Sequence, residues 1–135
     1  MQLSTYLNFN GQCEAAFKFY EQCLGGKIEF MAPYKGTPMA DQVPPEWRLK
    51  IMHATLLVGE NVLMGCDAPG RFEEPKGFSV TIGLNNLAEA ERIFNALAQN
   101  GKVSLPLQKT FWAAGFGMLV DQFGIPWMVN CGLAA

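Results

Sequence analysis

With 135 residues, 50% of them hydrophobic and 16% charged, the chain has the size of one domain and the means to build a sizeable core. Ten Lys and Arg against 12 Asp and Glu leave a net charge of −2, so the basic stripe required for electrostatic binding of nucleic acid is missing. No run reaches the roughly 18 apolar residues of a membrane-spanning helix, and neither a nucleic acid nor a membrane is expected as a partner.

The first residues, MQLSTYLNF, show neither the basic start nor the cleavage site of a signal peptide, and the expected address is cytoplasmic. Leu3 to Phe9 alternates, which predicts a half-buried strand. Residues 12–24 carry Cys13, Ala16, Phe17, Tyr20 and Leu24 at helical spacing, with Gly25-Gly26 as the stop. Strands follow over Lys27–Ala32, Ile51–Val58 and Val62–Asp67, the last two joined at Gly59-Glu60-Asn61. Residues 34–50 form a proline-bearing excursion of the kind used as a lid, an interface arm or a plain surface loop.

The order then restarts. Phe78 to Leu84 alternates, Asn86 and Glu89 make a capping box, and Leu87, Ala90, Ile93, Phe94 and Leu97 form the stripe of a helix over 87–99. Strands are predicted near 102–108, 116–121 and 126–131. A shift of 75 pairs Ser4 with Ser79, Leu7 with Ile82, Glu14 with Glu89 and Gly26-Lys27 with Gly101-Lys102, while the closing hairpins align at a shift of 65. The expected architecture is one α+β domain of two tandem βαβββ modules, 1–69 and 78–135, joined by a linker at 70–77. Cys13, Cys23, Cys66 and Cys131 include no CxxC pair and sit among apolar neighbours, so buried thiols are expected rather than a zinc site or disulfides.

Tandem βαβββ modules resemble the vicinal oxygen chelate superfamily of glyoxalases, bleomycin-resistance proteins and extradiol dioxygenases. The chain looks most like the PhnB-like branch, also labelled 3-demethylubiquinone-9 3-methyltransferase-like. The residues that carry this are Tyr6-Leu7-Asn8-Phe9, Phe19-Tyr20, Leu24-Gly25, His53-Ala54, Leu63-Met64 with Asp67, Thr110-Phe111-Trp112-Ala113, Gly115-Phe116-Gly117, and Asp121 through Asn130. The resemblance implies a mixed curled sheet with helices on one face and a ligand cup on the other, the glyoxalase/bleomycin-resistance-like fold. It also implies a homodimer, because relatives commonly join module edges.

Strand alternation then assigns residues to that cup. Ser4, Tyr6, Asn8, Ser79 and Thr81 oppose the apolar sets of their strands; His53, Thr55, Leu63, Gly65 and Asp67 are expected on the third and fourth strands, and Met118, Met128 and Asn130 on the last two. The expected ligand-binding set is Tyr6, Asn8, His53, Thr55, Asp67, Ser79, Thr81, Trp112, Met118, Met128 and Asn130. His53 is the one tentative catalytic residue. It acts either as a general base or ligand partner, or as a brace hydrogen-bonded to backbone or to Asp67. Asp67 precedes Ala68-Pro69-Gly70, so it orients His53 or forms the turn. Trp112, with Phe111, stacks on a planar ligand or packs on a dimer partner, whereas Trp127 belongs to the core.

In metal-dependent relatives the ligands stand at positions that correspond to Ser4, Leu63, Ser79 and Met128. Two hydroxyls and two apolar groups do not replace imidazole and carboxylate, and a chain with one histidine lacks the pair that a two-His iron site needs. No metal or other cofactor is expected. The expected function is therefore a dimeric small-molecule-binding protein with an unidentified ligand. The alternative is a superfamily enzyme of lyase or dioxygenase type, either metal-dependent or metal-independent with His53. Methyl transfer is disfavoured, because no strand leads into a glycine-rich GxGxxG turn.

Overall fold

The computed structural model describes residues 1–132. They form two compact units, Met1–Glu73 and a second beginning at Glu74, and each unit is a βαβββ module. In the first unit, β1 (Thr5–Phe9), α1 (Cys13–Leu24), β2 (Lys27–Pro33), β3 (Ile51–Val58) and β4 (Asn61–Asp67) build a sheet of order β1-β4-β3-β2. β1 runs parallel to β4 and the other pairs are antiparallel. α1 lies on one face. Its buried Ala16, Phe17 and Tyr20 close a core with Leu7, Phe9, Ala54, Leu56 and Leu63, each large side chain contributing about 1.5–3 kcal/mol on burial.

The start of α1 is unusual. Gln12 precedes the helix without a side-chain cap, and the acceptor comes from 54 residues away: Asp67 Oδ1 takes the amides of Gly11 (2.9 Å) and Cys13 (3.0 Å). Asp67 Oδ2 accepts from Ile51 N at 2.8 Å, and its carbonyl accepts from the Tyr34 hydroxyl at 2.6 Å. One buried carboxylate thus joins the helix start, β3 and β4, where the helix dipole favours its charge. The helix ends at Gly25, whose φ of 72° is the left-handed conformation glycine adopts without strain. Between β2 and β3 the 34–50 excursion holds two short 3₁₀ turns, is closed by Tyr34 N to Lys50 O and Lys35 N to Arg48 O, and buries Tyr34 and Val43.

The second unit repeats the plan with β5 (Val80–Leu84), α2 (Leu87–Leu97), β6 (Lys102–Gln108), β7 (Ala113–Val120) and β8 (Pro126–Gly132), in the order β5-β8-β7-β6. Ile93, Phe94 and Leu97 of α2 belong to a core with Leu119, Trp127, Val129 and Cys131. Asn86 caps α2 by accepting from Glu89 N at 3.0 Å. Even irregularities recur: β2 is bulged between Ile28 and Phe30, and β6 between Val103 and Leu105, positions 75 apart. A Cβ on Gly26 would lie 2.5 Å from Leu57 O, and one on Gly101 2.5 Å from Val120 O. These two repeat-related glycines are demanded by close approach of a neighbouring strand.

The register corrects one expectation. Thr5 pairs with Leu63 and Val80 with Trp127, so residues 75 apart on the first strands meet residues 64 apart on the last, not 65. The Asp121–Ile125 turn is one residue longer than its counterpart in the first unit, and Asp121 Oδ1 holds it through Phe123 N (2.8 Å) and Ile125 N (3.0 Å). The strand ends differ as well. Leu3 was expected beneath α1, but β1 begins at Thr5 and Leu3 is 98% exposed. Helix α2 stops at Leu97, short of the expected 99. Among the described residues no helix is long and apolar enough to cross a membrane.

Candidate functional site

Register decides which side chains share the sheet face away from α1. Tyr6 pairs with Met64, Asn8 with Cys66, Thr55 with Met64 and Phe30 with Thr55. Side chains directly opposite one another point to the same face. His53 joins this set, two residues from Thr55 on β3. The Tyr6 hydroxyl is 3.2 Å from His53 Nδ1, and His53 Nε2 is 3.0 Å from Thr55 Oγ1. A neutral imidazole satisfies both contacts, accepting from one hydroxyl and donating to the other. The Tyr6 and Phe30 rings flank it at centroid distances of 5.7 and 6.0 Å. Beside them, the Cys66 thiol donates to Asn8 Oδ1 at 3.5 Å.

The Tyr6 hydroxyl and the Cys66 thiol of this cluster are held in their neutral forms. Burial pushes the Tyr6 phenol above its ordinary range, so it remains a hydroxyl at neutral pH. Burial likewise raises the Cys66 thiol. Cys66 is thus a thiol donor here and not an activated nucleophile.

Three expected cup residues lie on the other face. Leu63, Gly65 and Asp67 point toward α1: Leu63 and Asp67 are buried, and a Cβ on Gly65 would fall 2.8 Å from the Phe17 ring. Asp67 neither orients His53 nor faces a ligand, because both its carboxylate oxygens are occupied by backbone amides. The physical reason is that alternation within β4 leaves its parity against β1 open, and the parallel register sets it. The same register brings in Met64 and Cys66, which the strand pattern had assigned to the core side. Phe30 arrives through the bulge in β2. No sequence signal marked Cys66, because only the observed pairing aligns β4 with β8 at 64 and makes Cys66 the repeat equivalent of Asn130.

In the second unit, Thr81 and Met118 both pair with Met128, and Phe116 pairs with Asn130, on the face away from α2. Thr81 Oγ1 is 3.7 Å from Met128 Sδ. The Trp112 indole N–H donates to Asn130 Oδ1 at 3.3 Å, and its ring lies 5.3 Å from Phe116 and 4.9 Å from Phe111. Phe111 is 91% exposed. Ser79 precedes β5 and is not part of the strand. By register, His53 corresponds to Phe116, Thr55 to Met118 and Tyr6 to Thr81. The polar cluster of the first unit has an aromatic and thioether counterpart in the second.

The metal positions of the superfamily do not fit this chain. Ser4 and Ser79 supply neutral hydroxyls, Leu63 faces α1, and Met128 offers a thioether. Among the described residues no group of three or more His, Cys, Asp or Glu side chains is placed to hold a metal ion.

Comparison with known proteins agrees with this fold. The sequence profile of the 3-demethylubiquinone-9 3-methyltransferase family matches residues 1–130. The chain belongs to this family. Protein YjdN of Escherichia coli K12 is 33% identical over 139 residues, covering 96% of this chain and 95% of that protein. The crystal structure of protein PA1353 from Pseudomonas aeruginosa is similar at 48% identity and a TM-score of 0.88, covering 98% of both chains. A PhnB protein from Bacillus cereus, described as a putative 3-demethylubiquinone-9 3-methyltransferase, matches at 24% identity and a TM-score of 0.82, covering 98% of this chain and 100% of that one. The fold alone is shared with a glyoxylase/bleomycin resistance protein/dioxygenase domain from Frankia, at 14% identity and a TM-score of 0.61, over 98% and 95% of the two chains. This 3-demethylubiquinone-9 3-methyltransferase family member thus has the glyoxalase/bleomycin-resistance-like fold.

Proposed function

We propose that the protein is a cytoplasmic, homodimeric small-molecule-binding protein that works without a superfamily metal. The observation that carries this is the Tyr6–His53–Thr55 chain with Asn8 and Cys66: convergent polar groups beside aromatic rings on a sheet face, the usual make-up of a ligand site. Trp112, Met118, Met128, Asn130 and Thr81 give the second unit a face for apolar and aromatic ligand parts. The dimer reading is supported by exposed Leu3, Phe30, Leu49 and Phe111 and by the edge strands of each sheet, which need a cover. The 34–50 excursion and the Phe111-Trp112 loop are the proposed contact elements.

The family name does not extend to methyl transfer in this reading. A nucleotide-like methyl donor requires a glycine-rich turn from strand to helix in a parallel sheet, whereas β1 meets α1 through Asn10-Gly11-Gln12 in a βαβββ unit. A second reading, a metal-independent general base at His53, is favoured by its position between two hydroxyls.

Native mass spectrometry of protein purified from cells tests the proposal. A small molecule retained at low activation energy, and lost in His53→Ala, supports binding; an unliganded protein that retains none of a metabolite extract overturns it. Light scattering should give about twice the 14.9 kDa chain mass, and a single-chain mass refutes the dimer.

A further inference from the structure

Resting on the small-molecule reading above, we propose that the open face of the first sheet takes an uncharged planar ring compound bearing a hydrogen-bond donor and acceptor on its edge. The side chains grouped around His53 are Tyr6, Asn8, Phe30, Thr55, Met64 and Cys66, and none carries a formal charge. A carboxylate or ammonium brought against them would lose hydration without gaining an ion pair. Lys27 is in register with this face, but opposite Leu57, four residues and about 13 Å along the strand from His53. Glu29 lies in the bulge of β2 and is exposed. At Cys66, the charge of Asp67 across the sheet and that of Arg71 act with opposite sign.

The shape of the ligand follows from the rings. Tyr6, His53 and Phe30 form a strip of tilted aromatic planes, at centroid distances in the range where such rings attract one another and a further ring. Met64 and Cys66 add polarisable sulfur beside it. The edge pattern follows from the polar groups. Asn8 Oδ1 accepts from Cys66, which leaves its amide N–H groups as donors, and the Tyr6 oxygen keeps a lone pair when its O–H donates to His53 Nδ1. A ring amide, lactam or neutral phenol presents the complementary acceptor and donor; an aliphatic acid or a sugar phosphate does not.

The chain has one histidine, so a single pair of imidazole C–H proton signals reports on this face. Benzamide, benzoate and benzamidinium have nearly the same shape and differ in charge. Each is titrated at pH 7.5 into the full chain while the His53 signals are followed by NMR. Benzamide is expected to shift them in a saturable manner, with an apparent Kd at least tenfold below those of both charged probes. In Asn8→Asp, benzamide should weaken and benzamidinium should strengthen, each by about tenfold, while Asn8→Ser keeps the wild-type order. Equal or tighter binding of benzoate or benzamidinium to the wild type overturns the uncharged-ligand inference and leaves the small-molecule reading standing. If none of the three moves the His53 signals, this face is not a ring site and the site inference falls, whereas a ligand found by native mass spectrometry would still uphold the broader reading.

Discussion

Asp67→Asn separates a structural carboxylate from a ligand-binding one. The wild-type carboxylate accepts from Gly11 N, Cys13 N and Ile51 N at 2.8 to 3.0 Å and is 1% exposed. An asparagine keeps a single acceptor oxygen. In its better orientation that oxygen holds Gly11 and Cys13, and its NH₂ group then faces the Ile51 amide, leaving a buried donor unsatisfied at about 1–3 kcal/mol. Loss of the charge at the α1 N-terminus adds about 0.3–1 kcal/mol. The sum is about 1.3–4 kcal/mol, and at about 4 °C per kcal/mol for a chain of this size Tm should fall by about 5–16 °C. Asp67→Ala removes all three acceptors and should fall further. Urea unfolding followed by far-UV circular dichroism measures the change, fitted with two transitions if the units unfold separately. A Tm within 2 °C of wild type, roughly 0.5 kcal/mol, together with lost ligand binding, would refute the reasoning and return Asp67 to the site.

Gly117→Ala should destabilise by about 1–3 kcal/mol, because its Cβ would lie 2.6 Å from the Phe94 ring and 2.9 Å from the Leu107 backbone; Gly83→Ala meets nothing within 4 Å and should stay within about 0.5 kcal/mol, as paired thermal melts will show. Burial first, and then the charge of Asp67, push the Cys13 thiol up. Its contribution to stability is therefore complete below about pH 8.5 and declines above it, by up to about 1.4 kcal/mol per pH unit. Melts between pH 8 and 10 should fall more steeply for the wild type than for Cys13→Ala. Chelator should leave Tm unchanged, since a metal held by the native state alone would add RT ln(1 + [L]/Kd); a chelator-dependent drop with near one metal per chain contradicts this. Trp112→Phe should lower stability by less than about 1 kcal/mol, since the indole is half exposed, and a larger loss in urea unfolding would place Trp112 in the core.

Periodicity, caps and stop signals are local properties, and on their own they were enough for the βαβββ repeat. The apolar stripe of Ala16, Phe17 and Tyr20, the Gly25 stop and the Asn86 cap each act within a few residues or one turn, so the two helices and the order of eight strands were readable. Alternation within β1 and β3 likewise placed Tyr6, Asn8, His53 and Thr55 on one face. The pairing of β1 with β4 is a contact across 58 residues, and no local pattern encodes its register. The additional residue in the Asp121–Ile125 turn puts β3 and β7 63 apart but β4 and β8 64 apart, so a match of the hairpins at 65, from Gly59 to Gly124, misplaced the last strand by one residue, and a slip of one residue inverts every side chain of a strand. Tertiary structure alone therefore moved Asp67 from the ligand face to the start of α1 and put Cys66 beside Asn8. A buried carboxylate must be satisfied by whatever donors the packed chain brings to it, and those donors came from residues 11, 13 and 51, which only the fold brings together.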